Sequence, residues 1–411
     1  MLRFIKKLDY LNLYICFFPF AVIFRSFILN SYIILASLIF IFFYLQKKIK
    51  INKYYKTIIK YFFLFFLYIF ILSFFSIEPI IALKSSFSQI RFILFSLFII
   101  FFLKEIKINL IFRTYLIILV LISLDGLIQF MFGANLFGLN VSNYTSYYRV
   151  SGIFGDELIL GAFLTYLGIP VLGYYYSNFS NLNNKKKILL IIVSFILWFV
   201  IFISGERINF LVFSLFIALL LFYFLNIKRT IIVITIGILI FSGFVSYHEK
   251  LNEKYSHFKN IIVNFEDSSY GYIYTRTLSV WLDRPIFGTG LKNYRYNCDK
   301  KYPYDEKVHK HPTCQTHPHN FILEMLTETG VIGTILFSIF FISALNINVF
   351  HIKKFYNRKF LTMYSSLFVL MIYFFPIKSS GSFFSTFNAS LFWFNFSIFI
   401  FYVNKYFIKN K

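Results

Sequence analysis

The sequence predicts an all-α, polytopic membrane protein of about twelve transmembrane helices with one large outer loop containing short amphipathic helices. Composition, continuous apolar runs and the placement of the lysines lead there. Of 411 residues, 59% are hydrophobic and 14% charged, and the mean hydropathy is +0.71, which excludes an ordinary soluble domain. Runs of roughly 20 apolar residues, enough to cross a hydrocarbon core about 30 Å thick, recur from end to end. They are continuous, whereas a β-barrel would alternate over segments of about ten residues.

Taken in order, the runs place spans near 10–29, 31–46, 58–77, 89–103, 109–131, 155–177, 187–203, 208–226, 230–247, 321–348, 360–377 and 388–406. The first run lacks a small-residue cleavage site and another follows at once, so no cleavable signal peptide is expected. Alternate gaps hold the basic clusters: Arg3 to Lys7, Lys47 to Lys60, Lys104 and Lys107, Lys185 to Lys187, Lys228 and Arg229, Lys353 to Lys359, and Lys405 to Lys411. A net charge of +24 on a soluble chain would suggest nucleic acid. Here the cations follow the positive-inside pattern, so membrane lipids are the expected surroundings and nucleic acid is not an expected partner. Both termini are then cytoplasmic, and the gaps around Asn30, Glu78, Ser204 and Gly381 lie outside.

The chain divides accordingly into 1–247 with nine spans, an outer loop over 248–320, and 321–411 with three spans. Long loops translocate largely regardless of their charge. Within this loop Leu251, Tyr255, Phe258, Ile262 and Phe265 recur at helical spacing, as do Tyr274, Leu278 and Trp281. Two amphipathic helices are expected, with Arg276 opposite the second stripe. Cys298 and Cys314 lie in the loop and Cys16 in the first span. An oxidising outer compartment favours a Cys298–Cys314 disulfide.

Three stretches bear chemistry. "SGERINF", 204–210, is a tight outer turn with Arg207 at the membrane boundary, where it either snorkels to headgroups or binds an anion. Arg276, in "YTRTLSVWLDRPIFGTGLKNYR", is either solvated or functional, and the "GTG" of 288–290 lacks the third glycine of a dinucleotide site and reads as a turn. In "THPHNFILEMLTETGVIGTILF", 316–337, Pro318 biases His317 toward an extended backbone and lets His319 and Asn320 open the tenth span as a cap. Glu324 and Glu328 share a face of that helix, where ionisable groups point to function: they orient His319 or pair with loop arginines. Gly330 and Gly333 admit a close neighbouring helix. His309, His311, Cys314, His317 and His319 fit no standard zinc spacing, and no Gly-x-Ser-x-Gly elbow appears.

The run His319-Asn320, nine residues, Gly330, two residues, Gly333 resembles the signature of the O-antigen ligase and polymerase family of bacterial membrane glycosyltransferases. "DRPIFGTGLKNYR", "SGERINF" and "YRVSGIFGDELILGAFL", 148–164, resemble that family's preceding segments, in order. The resemblance implies transfer of a glycan from an undecaprenyl diphosphate carrier to an acceptor sugar hydroxyl, on the periplasmic face of the inner membrane. It implies His319 as the essential histidine, Arg207 and Arg276 as the essential arginines, Arg149 as a weaker counterpart, and no metal or other cofactor. The acceptor is lipid A core for a ligase or a second carrier-linked glycan for a polymerase. Beside these stand a protein-glycosylating transferase with the same donor and a non-catalytic transporter of lipid-linked glycan, although transporters favour midplane sites on paired broken helices. Glu206 departs from the family pattern, and an ion pair with Arg207 would weaken phosphate binding there.

Overall fold

The computed structural model describes residues 10–141, 149–247, 252, 263–266, 268–303, 314–345, 357–375 and 381–408. In chain order the helices are α1 (Tyr10–Ile23), α2 (Arg25–Leu45), α3 (Lys53–Ser73), α4 (Pro79–Ser88), α5 (Ile90–Phe102), α6 (Glu105–Phe132), α7 (Leu160–Ser177) and α8 (Asn184–Ile203). There follow α9 (Arg207–Phe224), α10 (Ile227–Tyr247), α11 (Ser269–Asp283), α12 (Tyr294–Lys301), α13 (Phe321–Ala344), α14 (Leu361–Tyr373) and α15 (Thr386–Val403). Among the described residues there is no strand, only isolated bridging such as Ala134 with Asn140.

Nine helices among the described residues are long and apolar enough to cross a membrane, with α4 and α5 counted as one across a bend at Gln89. The other three expected spans fold as α1, α7 and α14. Of these α14 has 13 residues, and the 18 residues of α7 end in Tyr174, Tyr175 and Tyr176, which dilute its apolar character. The chain is thus a multi-pass membrane protein. The expected first amphipathic helix falls largely on residues outside the described set, as do His309 and His311.

One expected boundary moves. Asn30 was the expected outer break, yet the chain turns at Phe24 and Asn30 lies inside α2. Tertiary partners explain it: Asn30 accepts a hydrogen bond from Thr386 at 3.0 Å, and Ser31 donates to Phe27 O within its own helix at 3.0 Å. Polar side chains satisfied in this way do not end a helix. The antiparallel α1–α2 pair closes on stacked Tyr14 and Tyr32 rings, centroids 4.3 Å apart, each hydroxyl donating to the other residue's carbonyl.

Contacts group the chain into two compact units. The first comprises 1–104, 265–351 and 370–411, and the second 105–264 and 352–369. In the first, α15 is the central helix, with 83% of its apolar window buried. Phe321, Phe337, Phe383 and Phe392 interlock beside it at ring separations of 4.7–6.3 Å. Lipid tails are as apolar as phenylalanine, so such packing stabilises through dispersion and fit rather than through escape from water. In the second, α7 is buried along nearly its whole length and tolerates Pro170 mid-helix, while α10 leaves Ile236, Leu239 and Ile240 exposed for lipid.

The expected close approach at Gly330 and Gly333 has two different causes. At Gly333 an added Cβ would come 2.8 Å from the Tyr68 ring of α3, so a neighbouring helix does press there. Gly330 instead breaks α13, with φ 65° and ψ −175°, a backbone region essentially confined to glycine. A loop backbone, not a helix, fills the break. Val331 N–H donates to Pro285 O, Ile332 N–H to Ile286 O, Thr289 N–H to Thr327 O and Gly290 N–H to Glu328 O, at 2.9–3.2 Å. The Tyr68 hydroxyl sits 2.7 Å from Phe287 O and 2.9 Å from Thr329 O. Gly288 and Gly290, at φ 81° and 93°, make the turn read from "GTG".

Gly330→Ala combines a forbidden φ with a Cβ 2.3 Å from Ile286 O. We expect it to lower the melting temperature of the detergent-solubilised protein by several degrees, from a penalty on the order of 1–3 kcal/mol or more. Gly237→Ala, where nothing lies within 4 Å of the new Cβ, should leave melting unchanged.

Candidate functional site

The first unit gathers its chemistry where α11 meets the start of α13. Asn320 caps α13, its side chain accepting from Leu323 N–H at 3.0 Å, and it also hydrogen-bonds the Tyr274 hydroxyl of α11. Burial raises the pKa of that hydroxyl, so Tyr274 stays protonated near neutrality. One residue earlier His319 adopts φ 54°, a left-handed conformation that is uncommon for a residue with a side chain. Pro318 before it and the cap after it hold the strain. The His319 ring lies 4.0 Å from that of His317 and, nearly perpendicular, 6.3 Å from that of Tyr270.

Arg276 lies on α11, six residues or about 9 Å of helix beyond Tyr270. The buried stripe of α11 differs from the expected one: it is Ile273, Thr277 and Val280, while Leu278 is 43% exposed. Thr277 can be buried because its hydroxyl donates to Ile273 O at 2.7 Å and lies 3.0 Å from the Tyr294 hydroxyl. Arg276 is half-buried, its guanidinium 3.8 Å above the centre of the Tyr302 ring. Cys298 and Cys314 are joined by a disulfide, their Cα atoms 5.7 Å apart.

Glu324 and Glu328 are buried, 2% and 1% exposed. Glu324 accepts from Phe383 N–H at 2.7 Å and from the Ser382 hydroxyl. Glu328 accepts from the N–H groups of Lys292, at 2.8 Å, and Tyr294. Lys292, itself at φ 58°, is the cation whose field reaches both carboxylates. These side chains therefore anchor loop backbones, and the cation that acts on both is Lys292, where loop arginines were one of the two expected partners. Lys292 and Tyr302 carried no expected role in the sequence, because neither stands out by type or spacing.

The second unit builds its own cluster on the turn between α8 and α9. Glu206 accepts from Gly161 N–H at 2.5 Å and Ala162 N–H at 3.1 Å, the free donors at the start of α7, and from Asn209 at 2.7 Å. Arg149 Nε reaches Ser204 O at 3.4 Å, and its charge acts on Glu206. Burial nevertheless pushes the Glu206 carboxyl up to about 7, against the opposing pull of Arg149 and of these donors. Arg207 is the first residue of α9 and half-buried. Gln129, inside α6, accepts from Ser151 N–H at 2.9 Å and Gly152 N–H at 2.7 Å, fixing the segment that carries Arg149. A polar residue within an apolar run was the available signal for Gln129.

Because the folded pKa of Glu206 exceeds its ordinary value, its contribution to stability is full below about 4.5 and is lost as pH rises through about 7. Melting temperature measured across this window should fall with pH in the wild type and fall less steeply in Glu206→Gln.

Among the described residues no group of three His, Cys, Asp or Glu side chains is placed to hold a metal. A family model described as O-antigen ligase matches residues 192–338. That stretch contains Arg207, Arg276 and His319 and excludes Arg149. No curated protein matches the chain.

Proposed function

We propose that this chain, whose residues 192–338 match the O-antigen ligase family model, is a glycosyltransferase of the bacterial inner membrane. It moves a glycan from an undecaprenyl diphosphate carrier to an acceptor sugar hydroxyl on the periplasmic face, with both termini cytoplasmic and with no metal or cofactor. The observation that carries the reading is the strained, capped conformation of His319 beside the helix of Arg276. Strain of this kind collects where a side chain must be aimed.

His319 is the general base. A neutral imidazole accepts the proton of the acceptor hydroxyl as its oxygen bonds to the anomeric carbon, and the bond from that carbon to the carrier phosphate breaks. The electron pair leaves with the lipid diphosphate and the anomeric centre inverts. Arg276 binds the diphosphate and stabilises its gathering charge, the task a magnesium ion performs in other diphosphate chemistry, and Arg207 carries the same assignment from the family motif. Arg149 is the weaker candidate, because Glu206 already takes up part of its field. Asn320 sets the orientation of His319 through the cap, and Glu324 and Glu328 hold the flanking loops. A lipid A core acceptor makes the enzyme a ligase; a carrier-linked acceptor makes it a polymerase with the same donor chemistry.

With chelator present, purified protein given carrier-linked glycan extracted from cells lacking this gene, plus acceptor, should transfer sugar. His319→Ala should lower kcat at least about a hundredfold at unchanged melting temperature, and retained turnover would remove His319 as base. Arg276→Ala and Arg207→Ala should each cost about a hundredfold in donor use; normal kinetics would return that arginine to headgroup snorkelling. Zinc-dependent turnover would revive a histidine metal site. In the deletion strain, bare lipid A cores with accumulated carrier-linked chains identify a ligase, and cores capped by single units a polymerase.

A further inference from the structure

A guanidinium can be held in two ways with opposite consequences for anion binding. A carboxylate partner occupies the in-plane N–H edge that a diphosphate would need, whereas an aromatic ring occupies the face and leaves donors on the edge. Among the described residues no carboxylate pairs with Arg276; it engages Tyr302, whose ring takes the guanidinium face and whose hydroxyl takes one hydrogen bond, leaving its other N–H donors on the edge.

Tyr302 is itself fixed from several directions. Its hydroxyl is 2.5 Å from Ser279 Oγ, on the same helix as Arg276 and three residues away. Its N–H donates to Cys298 O at 2.8 Å, ending α12. The disulfide ties that helix end to Cys314, and both Tyr302 and Cys314 pack on the buried trio of Val280, Tyr294 and Cys298. Neighbouring Lys301 clamps α12 to α11 by donating to Ser279 O at 2.9 Å and to the Asp283 carboxylate at 2.7 Å. The half-buried Tyr302 ring is thus held from several directions beneath the Arg276 guanidinium.

We infer that Tyr302, tethered through α12 by the Cys298–Cys314 disulfide, is a positioning residue that carries the Arg276 guanidinium on its face and turns the guanidinium edge toward the diphosphate of the donor. The inference rests on the reading of Arg276 as a diphosphate-binding residue. The ring touches no reacting atom; it removes side-chain freedom that Arg276 would otherwise lose on binding.

The probe is undecaprenyl diphosphate without glycan, its Kd measured on the purified full-length protein in lipid nanodiscs. Arg276→Ala should weaken binding tenfold or more. Tyr302→Leu and Tyr302→Gln, used together in case one misfolds, should weaken it about fivefold at unchanged melting temperature, and Tyr302→Phe should restore it to within about twofold. Replacing Cys298 and Cys314 together by alanine should weaken binding in the wild type and add little to Tyr302→Leu. Wild-type affinity in both truncations, with Arg276→Ala still impaired, overturns the positioning role alone. Wild-type affinity in Arg276→Ala removes the diphosphate reading and the inference with it. Fully additive losses from the cysteine pair and Tyr302→Leu overturn the tether.

Discussion

A helix inside a membrane cannot open unless other groups meet the hydrogen bonds it releases, because no water is there to do so. α13 opens at Gly330, and the backbone of 285–290 closes the gap with four N–H to carbonyl bonds. The approach is possible only because Gly288 and Gly330 lack side chains: a Cβ on either would lie within 2.4 Å of the other strand's backbone. α11 before this loop and α12 after it take their places against α13 from that seam. Arg276, Tyr302 and His319 therefore share a reference frame set by two glycines.

The same shortage of water explains the buried carboxylates. Glu324 and Glu328 in one unit and Glu206 in the other each receive backbone N–H groups from a different stretch of chain. A carboxylate can accept several donors at once, and in a low-dielectric interior each such bond is strengthened. Segments that have no sequence periodicity of their own, such as 291–294 and 381–384, are held by acids at a distance. Those acids act as pins for loops.

Much of this was legible from residue order. Continuous apolar runs are a one-dimensional signal, since the bilayer acts on each helix separately. His319 and Asn320 at the head of α13 were equally legible, because capping is local chemistry. The buried face of α11 was not: Thr277 outranks Leu278 there only because the Tyr294 hydroxyl lies beside it. Asn30 likewise looked like a break until Thr386, far along the chain, supplied its partner.

The sequence by itself determined that the chain is helical, crosses a membrane many times, and carries histidine and arginine at the ends of apolar runs, because length, hydropathy and cap residues act through near neighbours. Only the tertiary structure decided which acid faces which loop, that Gly330 is a break rather than a contact point, and that Arg276 rests on Tyr302. Those choices depend on pairings between residues far apart in the chain, which side-chain type constrains weakly and which packing and the demand for satisfied polar groups resolve.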